Sequence, residues 1–78
     1  PDYYAEEASI YVRQQKYEDA LKSIERAIAI APDFGACYRL RGVCYVRLKK
    51  KTEACEAFNK AKELGDPLAG KLIKEHCK

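Results

Sequence analysis

This chain of 78 residues has no methionine, no tryptophan, a single histidine, His76, and only four glycines and three prolines. Each scarcity excludes something. A lone histidine has no second imidazole to share a metal or a proton, and His76 has neither a carboxylate nor a nucleophile arranged around it in sequence. Scattered glycines form no phosphate-cradling loop, and no paired carboxylates occur outside surface clusters. No apolar run approaches the roughly 18 residues that a membrane span needs, and there is no signal-peptide pattern. Strand-like alternation is absent throughout. These absences predict a chain with no catalytic residue, no cofactor site and no metal site: not an enzyme and not a membrane protein.

What is present is a foldable composition, 47% hydrophobic and 35% charged, enough for one domain with a modest core. The chain opens at Pro1 without a methionine, which predicts a fragment or processed product of a longer protein. Charge is unevenly spread. Residues 1–34 hold 4 basic and 7 acidic side chains, a net of −3, and residues 35–78 hold 11 and 5, a net of +6. The four cysteines, Cys37, Cys44, Cys55 and Cys77, form no C-x-x-C pair, and zinc sites use ligands two to four residues apart. The expectation is four free thiols, with Cys37, Cys44 and Cys55 as small buried hydrophobes, and hence a reducing, cytoplasmic setting.

Helical periodicity covers nearly the whole chain. Tyr4, Ala8, Tyr11 and Val12 share one face of a first helix; Tyr17, Ala20, Leu21, Ile24, Ala27 and Ile28 share one face of a second. Pro32-Asp33 ends the second. Further helices are predicted near 36–48, 52–64 and from Pro67 to about Cys77. Shifting the sequence by 34 residues lays Tyr4 on Tyr38, Tyr11 on Tyr45, Val12 on Val46, Arg13 on Arg47, Ala20 on Ala54, Ile24 on Phe58 and Ala27 on Ala61. Self-similarity at one period is the mark of stacked repeats.

In these residues the chain resembles the tetratricopeptide repeat family, whose unit carries an aromatic, a small residue and tyrosine on one helix. The second helix of that unit carries alanine, a bulky residue and alanine, and proline closes it. Tyr4, Ala8, Tyr11, Tyr17, Ala20, Ile24, Ala27 and Pro32 match in the first unit; Tyr38, Gly42, Tyr45, Ala54, Phe58 and Ala61 match in the second. The resemblance implies an all-α, right-handed α-solenoid of antiparallel hairpins with five helices. Its units are residues 1–34 and 35–66, followed by a capping helix at 67–78, all forming one domain. The small residues are then packing devices where helix backbones approach closely. Departures from the pattern are Glu7 and Arg41 in place of leucine, Lys51 in place of an aromatic, and Asp66 in place of the closing proline. The last predicts a looser second turn.

Stacked hairpins curve, and the first helix of each unit lines the concave side. That register assigns a peptide-binding groove to Ala5, Ser9, Val12, Arg13, Arg39, Val43, Val46 and Arg47, flanked by Asp2 and Ala36. Small, apolar and cationic groups alternate there, which suits a peptide with acidic residues. Family members that clamp chaperone C-terminal tails use a lysine and asparagines; Ala5, Ser9 and Leu40 occupy those places here, so no such clamp is expected. The basic run Arg47–Lys51 raises an RNA-binding reading. It is disfavoured because the run lies at a helix turn and the register assigns Tyr38 and Tyr45 to the core. The remaining alternative is a structural segment of a longer array or a self-associating scaffold. A bare face around Tyr4, Glu7, Ala8 and Tyr11 predicts weak self-association through residues 1–14.

Overall fold

The computed structural model describes residues 2–77, with Asp2 described by its backbone alone. Five helices follow in order: α1 (Asp2–Arg13), α2 (Tyr17–Ile30), α3 (Gly35–Arg47), α4 (Lys51–Glu63) and α5 (Ala69–His76). No strand occurs among the described residues. Helix α1 packs chiefly on α2 and α3 on α4, while α2 meets α3 and α4 meets α5. This is the all-α solenoid of hairpins that the 34-residue period implies.

The period extends to the backbone of the turns. After α1, the Gln15 amide donates to Val12 O at 3.0 Å and the Lys16 amide to Tyr11 O at 2.8 Å. After α3, the Lys49 amide donates to Val46 O at 3.1 Å and the Lys50 amide to Tyr45 O at 2.8 Å. Both closures put a side-chain-bearing residue in the left-handed region, Gln15 and Lys49, each at φ 63°. That conformation costs a non-glycine residue roughly 1–2 kcal/mol. The turn after α4 uses Gly65 at φ 87°, where no Cβ opposes it.

Close approach explains the small residues. Ala8, Ala20, Ala27, Ala54 and Ala61 have no exposed surface, and the largest fully buried side chains are Phe58 and Ile24. Burying each of those two contributes about 1.5–3 kcal/mol. At Gly42 the approach leaves no room for a side chain. A Cβ built there would lie 2.9 Å from Phe58 Cζ and nearer still to two other ring carbons.

The departures from the repeat pattern have local causes. Glu7 accepts a hydrogen bond from Ser23 Oγ at 2.7 Å, and this satisfies a hydroxyl that is only 3% exposed. The Arg41 guanidinium stands 6.0 Å from the Tyr45 ring centroid, so its stem packs while its charge stays near the surface. Asp66 ties the second unit's closing turn instead of loosening it. Its carboxylate pairs with Arg39 Nε at 3.0 Å and accepts the Leu68 amide at 3.3 Å, while its own amide donates to Ala61 O at 3.0 Å.

Three further expectations are corrected. Cys55 and Cys77 form a disulfide with Cα atoms 5.8 Å apart, so only Cys37 and Cys44 are buried thiols. The four cysteines are therefore not all free, and the argument from them for a cytoplasmic setting falls, because disulfides persist in oxidising compartments. Cys55 failed as a simple buried hydrophobe because it faces Cys77, the residue that follows α5, which sequence spacing does not position. The bare face of α1 consists of Tyr3, 70% exposed, and Ile10, 47% exposed, whereas Ala8 is fully buried and Tyr4 and Tyr11 half-buried. The tail helix, predicted from Pro67, begins at Ala69, and the half-exposed Leu68 precedes it.

Candidate peptide-binding groove

Because α1 and α3 occupy equivalent places 34 residues apart, they lie side by side and expose matching faces. A shallow depression of about 220 Å³ between them is lined by Ala5, Ser9, Ala36 and Arg39, together with Phe34, Leu40 and the exposed Glu6, whose carboxylate opposes Arg39 in sign. Four residues of the sequence-derived lining thus meet at one place. Val46 lines a second depression, of about 380 Å³, with Lys49, Ala54, Glu75 and His76. Val12 and Val43 are half-buried, and Arg13 and Arg47 are exposed; none of the four lines either depression. The Asp2 side chain lies outside the described residues.

Arg39 is held in place. Its Nε faces the Asp66 carboxylate, with side-chain exposures of 26% and 6% for Arg39 and Asp66. That pair leaves the guanidinium's other N–H donors for a ligand carboxylate. Arg13 and Arg47 sit in the last turns of α1 and α3, where cations also complement the helix dipole. Sequence reasoning missed the Arg39–Asp66 pair, 27 residues apart, and the contribution of Phe34, neither of which local spacing signals; Leu40 entered only as a clamp position without asparagine.

The opposite side of α3 departs from expectation. Tyr38 and Tyr45 are half-buried, not core, and line a shallow groove with Arg41, Glu53, Glu56 and Lys60. Their burial therefore does not argue against nucleic-acid stacking. The two carboxylates there, Glu53 and Glu56, are matched by the two cations, Arg41 and Lys60, so the groove presents no basic patch. Among the described residues, no group of three or more His, Cys, Asp and Glu side chains could hold a metal ion, and no helix is long and apolar enough to cross a membrane.

Two hairpins in one register, closed by a third first-helix equivalent, define a stacked helical-repeat domain. The sequence profile described as Tetratricopeptide repeat matches residues 6–69. The chain belongs to the tetratricopeptide repeat family, whose domains are protein–protein interaction modules and as a rule not catalytic. A DnaJ homolog subfamily C member 3 homolog from Dictyostelium discoideum is 42% identical over 57 residues. The match covers 68% of this chain and 11% of that protein, so the chain spans about a tenth of that relative's length. No solved structure matches.

Proposed function

We propose that the domain binds an acidic peptide segment, extended or helical, across the concave face formed by α1 and α3. The observation that carries this reading is the depression in which Ala5, Ser9, Ala36 and Arg39 converge. Small residues give a backbone room to approach, and Arg39, oriented by Asp66, presents donors to a carboxylate. Arg13 and Arg47 extend the positive charge along the same faces. A synthetic peptide alternating glutamate and leucine is the probe. Arg13→Glu with Arg47→Glu should weaken its binding at least tenfold, with much less effect on a glutamine–leucine peptide. Equal loss for both peptides would remove the electrostatic part of the reading. Arg39→Glu is a poor test, because it sets a carboxylate against the buried Asp66 and lowers stability.

A second reading rests on a separate observation. Tyr3 and Ile10 stand at the register positions of Cys37 and Cys44, which are fully buried against the first unit. The outer face of α1 thus repeats a packing face, and its acidic unit is drawn to the basic remainder of a second copy. Weak, salt-sensitive self-association through residues 1–14, or stacking within a longer array, follows. Sedimentation giving a strict monomer near 8.9 kDa in concentrated, low-salt solution would exclude the self-association.

A further inference from the structure

Advancing the register by 34 residues from Ala36, Arg39 and Val43 leads to Gly70, Ile73 and Cys77. In register these are the positions of a third first helix, and α5 packs on α4 as α3 packs on α2. From α5, Glu75 and His76 line the depression that contains Val46 of α3 and Ala54 of α4.

The attachment of α5 is uneven. At its start Ala69 is fully buried, and Leu72 and Ile73 are half-buried. At its end His76 stacks on Phe58, with ring centroids 5.9 Å apart, and Cys77 is bonded to Cys55 on α4. Helices much shorter than about 12 residues do not persist in water without tertiary support, and α5 has 8. Its last turn therefore depends on the ring stack and the disulfide. Both cysteines are half-buried, unlike Cys37 and Cys44, which have no exposed surface.

We propose that the Cys55–Cys77 disulfide is a redox latch on the groove: oxidised, it holds α5 as a third wall, and reduced, it lets the last turn of α5 leave α4. The reductant is a dithiol. One of its thiolates attacks either sulfur and expels the other as a thiolate, giving a mixed disulfide. Its second thiol then resolves that intermediate. The products are two protein thiols and the oxidised, cyclic disulfide of the reductant, with two electrons and two protons transferred. Once released, the turn uncovers Phe58 and removes one side of the depression at Val46. This inference rests on the concave groove being the binding face.

The test is amide hydrogen exchange on the full chain, oxidised and then reduced with dithiothreitol. The reporter for the last turn is the Cys77 amide, which donates to Ile73 O at 2.8 Å; the Leu72 amide, which donates to Leu68 O at 3.2 Å, reads the start of α5. Reduction should speed Cys77 exchange at least tenfold while the Leu72 amide and the amides of α2 and α3 change by less than threefold. The Cys55→Ser, Cys77→Ser double variant should behave like the reduced chain without reductant. An unchanged Cys77 amide, or equal acceleration in all five helices, would overturn the latch. The glutamate–leucine peptide then separates the two ideas. Binding that differs at least threefold between the two redox states supports the gate, and equal binding with a loosened α5 refutes it. No binding in either state refutes the groove reading, and the gating with it, whatever the exchange data show for α5.

Discussion

Replacing Gly42 with alanine adds one methyl group where α3 lies directly against the Phe58 ring of α4, and its cost can be worked from the structure. Glycine to alanine within a helix contributes about 1 kcal/mol of helix propensity. Against this, the new Cβ lies inside contact distance of three Phe58 ring carbons, and that ring has no exposed surface and carries His76 stacked on it. Overpacking of this kind costs about 1–3 kcal/mol, and a ring with no room to retreat belongs at the upper end. The net is a loss of about 2 kcal/mol, or roughly 8–16 °C in Tm for a domain this small. Gly70→Ala is the control: nothing lies within 4 Å of a Cβ there, so the same change should be neutral or stabilising by up to about 1 kcal/mol. Urea unfolding followed by circular dichroism measures both. In a double-mutant cycle, Phe58→Leu should recover part of the Gly42→Ala loss, with a coupling of at least about 0.5 kcal/mol. If Gly42→Ala unfolds at the same urea concentration as the parent, the helix register of the second hairpin is wrong.

Other perturbations test separate links. At the two strained turns, Gln15→Gly and Lys49→Gly should each stabilise by about 0.5–1 kcal/mol, and Gly65→Ala should destabilise by about 1 kcal/mol, read from the same urea curves. Ala20→Leu or Ala54→Leu should cost about 1–3 kcal/mol through overpacking; a variant that melts like the parent would contradict the close contacts assigned to those alanines. Burial raises the Cys44 thiol from 9.0 to about 11. The unfolded chain therefore loses this proton first, and the stability it supports is intact below about pH 9 and lost as pH rises through about 11. Urea curves across that window should fall less steeply with pH for Cys44→Ala than for the parent.

Much of this fold was legible because the repeat writes the same physics twice. Ala20 and Ala54, or Tyr11 and Tyr45, at one period told where helices must touch, and the turns after α1 and α3 share one hydrogen-bond pattern. What was not legible depends on the third dimension alone. The Cys55–Cys77 bond needs the position of α5 on α4, and the Arg39–Asp66 pair needs the closing turn to fold back onto α3. Tyr38 and Tyr45 were misplaced for a related reason. Periodicity identifies a face, but not whether a neighbour covers all of it. At the candidate groove, the register supplied the faces of α1 and α3 and Leu40 as a clamp position, whereas Phe34 reaches the depression only through the turn that precedes α3.

Backbone chemical-shift mapping of the oxidised domain during titration with the glutamate–leucine peptide tests the central claim most directly. Saturable shifts at Ala5, Ser9, Ala36 and Arg39, extending to Val43 and Val46, are the predicted result. Shifts confined to α2 and α4, or to the Tyr38–Arg41–Tyr45 side of α3, would contradict it.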